Sequence, residues 1–189
     1  MVPMAQTDSI PTKLIWLDLE MTGLSPTDDV ILEIGVEITD FDFKTLATYE
    51  ARIQQDRQVV AERMQANTWW RDFPENRDDF LDNLNKGKPL AQAEKELVQL
   101  INEQFGSDLA ILSGNSIYND RMFIKHWMPV LDLQLHYRML DVSAWKVLMQ
   151  GKYGVVFEKN SQHRAFDDIQ ASIAELQHYL DWFKNQSSD

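Results

Sequence analysis

The clearest alternation of hydrophobic and polar residues in this chain spans residues 30–39. Successive side chains of a strand point to opposite faces, so this stretch predicts one apolar face and one polar face. We interpret it as a half-buried strand, with Leu32, Ile34, Val36 and Ile38 opposite Glu33, Gly35, Glu37 and Thr39. Residues 13–19 and 46–53 predict strands on either side of it. The short connections favour an antiparallel three-strand meander at the start of the domain.

The rest of the chain alternates between helical and extended patterns. Residues 56–86 are helical but irregular, and a long last helix follows Ser161 to Arg164. Between them the patterns predict helices at 90–105, 118–127 and 143–149 and strands at 109–113 and 137–142. This order predicts one α/β domain over residues 13–184, with a mixed sheet and helices packed on both faces. Residues 1–12 are expected to form a loose leader and residues 185–189 a frayed tail.

Composition narrows the class of protein. The 189 residues are 44% hydrophobic and 25% charged, which is ordinary for a soluble globular domain. The chain contains no cysteine, so it has neither disulfides nor a thiolate zinc site, and this fits the cytoplasm. The N-terminus lacks the pattern of a signal peptide, and no apolar run approaches the ~20 residues of a membrane span. We therefore expect no membrane partner.

The charge limits which nucleic acids the protein could bind. Eighteen basic and thirty acidic residues give a formal net charge of -12. Binding along a long nucleic acid relies on many Lys and Arg contacts to phosphate. The charge therefore argues against a long duplex as a partner. It still allows a short oligonucleotide held through one or two phosphates and bound metal.

Two acidic residues interrupt the first apolar strand. Asp18 and Glu20 are two residues apart, so they present two carboxylates from the same face. Burying two like charges costs several kcal/mol or more unless a cation compensates them. Carboxylate oxygens suit hard cations such as Mg²⁺ and Mn²⁺. The pair therefore suggests a metal site, although a chance triplet or a solvated strand end explains it equally well when it is considered alone.

Acidic residues at the starts of two helices strengthen the metal hypothesis. Asp120 follows a predicted buried strand, and Asp168 follows His163 by five residues at the start of the last helix. Asp167 is adjacent, but neighbours on a helix diverge by about 100 degrees, so one of the two faces a given site. Alone, Asp120 would be an ordinary first-turn acid and His163 a surface or capping histidine. The whole set is much less easily explained by chance.

Four segments together resemble the oligoribonucleases, which are 3′-to-5′ exonucleases of the DEDD superfamily in its histidine branch. They are Trp16-Leu-Asp-Leu-Glu-Met-Thr-Gly-Leu24, Gly114-Asn-Ser-Ile-Tyr-Asn-Asp120, His136-Tyr-Arg-Met-Leu-Asp-Val-Ser143 and His163-Arg-Ala-Phe-Asp-Asp168. The resemblance covers the chain from about Lys13 to Phe183. It implies a ribonuclease-H-like fold, a homodimer, two divalent metal ions (Mg²⁺ or Mn²⁺) and degradation of very short RNA, especially dinucleotides, to 5′-mononucleotides.

The resemblance also implies roles for individual residues. The metal ligands would be Asp18, Glu20, Asp120 and Asp168, and His163 would be the general base. Leu24 would lie beside the bases, and Trp69 or Trp70 would stack on one of them, although core packing explains the Trp pair equally well. The implied contacts to a 5′-terminal phosphate are Ser116, Arg138 and Ser143, with Tyr137 contributed by the other subunit.

Two alternatives stay open at this point. One is a DEDD exonuclease of broader range, such as a DNA-proofreading or tRNA-trimming activity, against which the acidic balance argues. The other is a metal-binding or interaction module that has lost catalysis. The presence of all five catalytic residue types argues against such a module.

Overall fold

The computed structural model describes residues 11–158 and 164–186, which form a five-stranded sheet and the helices around it. The strands are β1 (Lys13–Met21), β2 (Ile31–Asp40), β3 (Thr45–Arg52), β4 (Ala110–Gly114) and β5 (Leu135–Asp141). The helices are α1 (Arg57–Ala66), α2 (Thr68–Asp72), α3 (Pro74–Asn83), α4 (Leu90–Phe105), α5 (Tyr118–Trp127), α6 (Pro129–Asp132), α7 (Val142–Leu148) and α8 (Ala165–Gln186). A 3₁₀ turn, Leu84–Lys86, follows α3, and a π-helical turn, Met149–Tyr153, follows α7.

The sheet has the strand order β3-β2-β1-β4-β5. Strands β1, β2 and β3 pair antiparallel, whereas β4 and β5 run parallel to β1. The predicted opening meander and the mixed sheet are therefore confirmed. Because β1, β4 and β5 run in the same direction, the segments that follow them meet at one edge of the sheet.

Helices pack on both faces of the sheet, as the sequence predicts. Alternate residues of β1 separate the two cores, since Ile15 and Leu17 join the cluster that contains residues of α4 and α5. Leu14 and Trp16 point the other way and pack with residues of α7 and α8. A third apolar cluster holds α1, α2 and α3 together around Trp70.

The prediction that β2 is half-buried is wrong. Every residue from Ile31 to Thr39 is buried, including the polar face. The first turns of α8 cover that face, and Gly35 permits this close approach, since a Cβ there would lie 2.9 Å from the carbonyl carbon of Ala165. The polar side chains are paired rather than hydrated: Glu37 accepts hydrogen bonds from Thr45 and Gln170, and Thr39 accepts one from the Trp16 indole at 3.0 Å.

Several boundaries differ from the predicted ones by one to three residues. Strand β1 extends through Met21, so Glu20 lies within the strand rather than after it. Helix α8 continues to Gln186, past the predicted end of the domain at residue 184. Residues 1–10 of the predicted leader and 187–189 of the predicted tail lie outside the described part of the chain. In the described part, no helix combines the length and apolar character that crossing a membrane would require.

Candidate active site

Three carboxylates meet where the end of β1 faces the first turn of α8. Asp18, Glu20 and Asp168 each offer a carboxylate oxygen, and these oxygens lie within 4.8 Å of one another. We call these three residues the acidic cluster. Asp168 is buried, whereas its neighbour Asp167 is exposed, as expected for adjacent positions on a helix. The predicted choice of Asp168 over Asp167 therefore agrees with the direction in which each side chain points.

The acidic cluster is electrostatically costly when all its members are charged. Burial, followed by the nearby charges of Asp168 and Glu33, raises the pKa of Glu20 from 4.5 to about 8. Arg164 acts in the opposite direction but does not cancel them. Three clustered hard oxygen donors with excess negative charge are the chemistry that a divalent cation such as Mg²⁺ or Mn²⁺ favours.

Asp120 approaches the same strand from α5. Its carboxylate is buried and accepts a hydrogen bond from the Leu19 backbone N–H at 3.0 Å, so it is tied to β1 between Asp18 and Glu20. Burial raises its pKa to about 7, although the Leu19 N–H favours the charged form. Within the described residues, Asp120 stands outside the group of three close oxygens. The structure thus brings three of the four predicted ligands together and anchors the fourth beside them.

A cleft of about 260 Å³ adjoins Glu20. Leu24 and Trp69 line this cleft, as does Asn67. The Leu24 side chain is 71% exposed, which leaves it available to a ligand. These residues and the strand end form what we call the base cleft.

The two tryptophans at 69 and 70 have different roles. Trp70 is 1% exposed, and its indole N–H donates to the Thr22 carbonyl oxygen at 3.1 Å. It packs edge-on against Phe80 and is a core residue, although part of it borders the cleft. Trp69 is half-buried and rests against Trp70, with ring centres 4.6 Å apart. Trp69 is therefore the better candidate to stack on a base.

A second polar site lies where β4 and β5 end. Ser116 has φ of 50°, which is uncommon for a residue with a side chain. Its backbone N–H donates to Ser143 Oγ at 2.8 Å and to Asp141 Oδ1 at 3.0 Å, and these bonds hold the strained turn. The two serine hydroxyls are 3.1 Å apart. We call Ser116 and Ser143, with Asp141 beneath them, the serine pocket.

Arg138 and Tyr137 lie on β5, which is an edge strand. The strand bulges there, since Ala110 and Leu112 of β4 pair with Leu135 and Met139. Three residues of β5 between these pairs thus lie opposite one residue of β4, and such bulges re-aim side chains. Tyr137 is 69% exposed, and the Arg138 guanidinium carbon lies 5.3 Å from the centre of its ring. Tyr137 and Arg138, both predicted to contact substrate, are thus exposed on the edge strand.

His163 lies outside the described residues. The next residue, Arg164, is held by Glu33 of β2, whose two carboxylate oxygens accept from its Nε at 3.1 Å and from a terminal nitrogen at 2.8 Å. Glu33 was missed at the level of sequence. Its position on the polar face of β2 was the available signal, but that face was interpreted as solvent-exposed.

Asn115 was also missed, although it lies within a motif quoted above. It connects the serine pocket to α8 through hydrogen bonds to Ser172 at 2.9 Å and Glu175 at 3.1 Å. Ser172 and Glu175 are three residues apart in α8, so they lie on one face of that helix. No pattern in the sequence indicated that this face is polar and buried.

Comparison with known proteins places this site in a family. The family model described as exonuclease (RNase_T) matches residues 15–176. The chain is 38% identical over 176 residues to a probable oligoribonuclease of Caenorhabditis elegans, covering 91% of this chain and 89% of that protein. It is 37% identical over 177 residues to the oligoribonuclease of Pseudomonas fluorescens strain Pf0-1, covering 92% and 97%.

Solved structures agree on the fold. Exonuclease I from Methylocaldum szegediense superposes with a TM-score of 0.59 at 15% identity, over 90% of this chain and 40% of that longer one. Exonuclease I of E. coli, in complex with a 5cy-dA13 oligonucleotide, also gives a TM-score of 0.59, at 11% identity over the same shares. At such low identity the likeness concerns the fold alone. From the matched family and the two curated relatives, the chain belongs to the oligoribonucleases, a group of 3′-to-5′ exoribonucleases within the exonuclease family of the DEDD superfamily.

Proposed function

We propose that this protein hydrolyses very short RNA, dinucleotides above all, to 5′-mononucleotides from the 3′ end. One observation carries the proposal: the acidic cluster and the serine pocket lie at the ends of parallel strands of one sheet, at the same sheet edge. The first suits a scissile phosphate with its metal ions, and the second suits a terminal phosphate. The relatives named as oligoribonucleases support RNA as the substrate.

The acidic cluster would hold two divalent ions, Mg²⁺ or Mn²⁺, with Asp120 completing the ligand set. The donor set fits such ions, because it consists of carboxylates whose mutual repulsion a cation relieves. When bound, two ions stabilise the attacking and leaving oxygens of the phosphodiester. The chain's own part is to fix the carboxylates, through β1 for Asp18 and Glu20 and through α8 for Asp168.

His163 is the proposed general base, which takes the proton of the attacking water. An ordinary histidine pKa of about 6.5 lies near working pH, where proton transfer is most effective. The sequence places His163 next to Arg164, and Arg164 is anchored to β2 by its two hydrogen bonds with Glu33.

The proposed substrate contacts divide between the base cleft and the serine pocket. Leu24 and Trp69 would contact the bases, since both line the cleft beside Glu20. Ser116, Ser143 and Arg138 would contact a 5′-phosphate. Arginine suits this role because its planar fork matches a phosphate, and Tyr137 stacks beneath that guanidinium.

Dinucleotide preference follows from having a phosphate site at each end. A chain of net charge -12 cannot hold a long polyanion along its surface, so affinity must come from a few local contacts. A dinucleotide with a 5′-phosphate would satisfy the acidic cluster and the serine pocket together. A longer strand would have to extend past the serine pocket, which in this proposal closes around a terminal 5′-phosphate.

We also propose that the protein is a cytoplasmic homodimer. Large apolar side chains are exposed along α5, α6 and β5, as expected of a surface that another subunit covers. They are Tyr118 at 59%, Val130 at 51%, Leu133 at 73% and Tyr137 at 69% exposure. In such a dimer Tyr137 could reach the partner's pocket.

The test is a length series. RNA of two to seven nucleotides, each with a 5′-phosphate or a 5′-hydroxyl, is incubated with Mg²⁺, Mn²⁺ or a chelator, and mononucleotide release is measured. We expect turnover that requires metal, is fastest for two nucleotides and favours the 5′-phosphate. Equal turnover of all lengths would reject the dinucleotide preference and favour a broader exonuclease. Absence of metal-dependent hydrolysis would reject the proposed activity itself.

A further inference from the structure

We infer that Glu175, a buried residue of α8, is a positioning residue for the serine pocket and acts on it through Asn115. The inference rests on the proposed function, because it concerns how the 5′-phosphate is recognised. Glu175 itself touches neither serine. Its role would be to fix the side chain that does.

Glu175 is an unusual residue to bury. It is 0% exposed, and its neighbours on the helix, Ile173 and Leu176, belong to an apolar cluster. Burying a carboxylate is costly unless donors satisfy it. The groups that satisfy Glu175 therefore indicate which side chains it holds in place.

Three donors surround the Glu175 carboxylate. Asn115 donates from Nδ2 to one carboxylate oxygen at 3.1 Å. Tyr179 donates its hydroxyl to the other oxygen at 2.8 Å, and the Lys146 ammonium lies 3.8 Å from that second oxygen. Asn115 is thus the one of these partners that connects Glu175 toward the serine pocket.

The carboxylate determines which way the Asn115 amide points. The two ends of an amide are similar in size, so their orientation is set by whether the neighbours accept or donate. Both carboxylate oxygens of Glu175 accept hydrogen bonds, one from Asn115 and the other from Tyr179. Ser172 also accepts from Asn115, because its own hydroxyl proton goes to the Asp168 carbonyl oxygen at 2.8 Å. Both neighbours on α8 therefore require the Nδ2 end of the amide.

The Oδ1 end consequently faces the serine pocket. Ser143 donates its hydroxyl to Asn115 Oδ1 at 3.3 Å, while Ser143 Oγ accepts from the Ser116 backbone N–H. Glu175 thereby selects one amide orientation and one position of the Ser143 hydroxyl. That hydroxyl in turn helps to hold Ser116 at its positive φ. Such pre-organisation raises affinity because less freedom is lost when the phosphate binds.

The experiment compares variants by their preference for a 5′-phosphate. The measured quantity is the ratio of kcat/KM for a 5′-phosphorylated dinucleotide to that for the 5′-hydroxyl dinucleotide, in Mg²⁺. Glu175→Met, which removes the acceptor but keeps the length, should lower this ratio about 10-fold through KM. Glu175→Gln keeps one acceptor oxygen of the same shape and should lower the ratio only about threefold. Tyr179→Phe removes a hydrogen bond to the opposite oxygen, so it should lower Tm and leave the ratio within about twofold.

A double-mutant cycle tests whether Glu175 acts through Asn115. Asn115→Ala should lower the ratio, and adding Glu175→Met should lower it no further, because the intermediary is already absent. If Glu175→Met does not fold, Glu175→Gln replaces it in the cycle, with an expected loss of about threefold. An unchanged ratio in Glu175→Met would overturn the inference. So would a loss of the ratio in Tyr179→Phe as large as that in Glu175→Met, when the two variants have the same Tm.

The wild-type controls separate this inference from the proposed function. If the wild type hydrolyses both dinucleotides with no preference for the 5′-phosphate, the serine pocket and the role of Glu175 both fall, while the nuclease stands. If neither dinucleotide is hydrolysed in the presence of metal, the proposed function itself is overturned.

Discussion

The acidic cluster and the serine pocket lie at the same sheet edge but are stabilised in opposite ways. The cluster collects three carboxylates, and burial, followed by the charges of Asp168 and Glu33, raises the pKa of Glu20 to about 8. In the serine pocket the Asp141 carboxylate accepts from the backbone N–H groups of Ser116 and Ser143, and the Ser116 N–H also donates to the Ser143 hydroxyl oxygen. The first site needs a cation from outside the chain, whereas the second is complete before any ligand arrives. We therefore expect substitutions to affect catalysis at one end and selectivity at the other.

The largest expected effect comes from removing a carboxylate of the cluster. Asp18→Asn and Asp168→Asn should each reduce hydrolysis to background, while Tm in the presence of a chelator stays level or rises because repulsion is relieved. Activity and thermal unfolding measure the two effects. Asp167→Asn is the matched control, since this neighbour is exposed and should keep normal activity. Near-normal turnover of Asp18→Asn or Asp168→Asn at saturating Mn²⁺ would contradict the assignment.

Removing His163, the proposed general base, should lower the rate less than removing a carboxylate of the acidic cluster does. His163→Ala is expected to slow the chemical step by about 10²–10⁴-fold while leaving metal binding largely intact. The wild-type rate should fall as pH drops through the histidine pKa, and the variant should lose that dependence. His126, which is exposed on α5, provides the control substitution His126→Ala. An unchanged acid limb in His163→Ala would remove His163 from the mechanism.

The stability of the metal-free protein should depend on pH through the cluster. The folded protein binds the Glu20 proton more tightly than the unfolded chain, since the pKa rises from 4.5 to about 8. The contribution of Glu20 is therefore complete at acid pH and is lost as pH rises toward 8, by an amount on the order of a few kcal/mol.

The measurement is Tm with a chelator between about pH 5 and pH 8.5. Glu20→Gln removes the titrating group, so its Tm should change less over this range than that of the wild type. Added Mg²⁺ should remove the loss in the wild type, because the cation replaces the proton. A wild-type Tm that rises with pH in the presence of chelator would show that the cluster is not the dominant titrating site.

Loss of the proposed phosphate contact of Arg138, beside the serine pocket, should change selectivity for a 5′-phosphate. Arg138→Ala is expected to cost about 1.5–3 kcal/mol of binding, or roughly 10- to 100-fold, for a 5′-phosphorylated dinucleotide. Arg138→Lys should also be costly because a point charge replaces a planar fork. Hydrolysis of an uncharged-end reporter ester should change far less. Lys95→Ala removes an exposed cation from α4 as the control. Equal losses on both substrates would argue against a phosphate contact.

The smallest expected effect comes from substitutions in the base cleft, which is part of neither the acidic cluster nor the serine pocket. Trp69→Ala should weaken substrate binding by about 1–3 kcal/mol per stacked base, which raises KM. It should change Tm little, because Trp69 is half-buried. Trp70→Phe should do the reverse, lowering Tm through the lost hydrogen bond to Thr22 with a smaller change in KM. If Trp70→Phe raises KM more than Trp69→Ala, the two roles must be exchanged.

Local patterns in the sequence predicted most of the fold. Period-two alternation placed β2, an apolar run placed β1, and the short connections among these strands and the predicted strand at 46–53 predicted the meander. The same alternation placed Asp18 and Glu20 on one face, which the structure confirms by the proximity of their carboxylates. These features depend on residues close together in the chain, so one sequence carries enough information to predict them.

Features that depend on distant residues were not predicted. The polar face of β2 is buried because α8 covers it, and α8 begins more than a hundred residues later. Arg164, the residue before α8, is the partner of Glu33. The difference between Trp69 and Trp70 depends on packing against Phe80. Asp120 is anchored by the Leu19 N–H, and backbone donors of this kind leave no trace in a sequence.

The contribution of α8 to the acidic cluster has a consequence for protein synthesis. A ribosome working at about 5–20 residues per second makes Asp18 and Glu20 first and Asp168 roughly 150 residues later. While α8 is still in the exit tunnel, the nascent chain has two of the three clustered carboxylates and an uncovered polar strand face. It therefore cannot assemble the cluster beside the messenger that encodes it. The order of residues along the chain therefore delays assembly of the acidic cluster until α8 has left the exit tunnel.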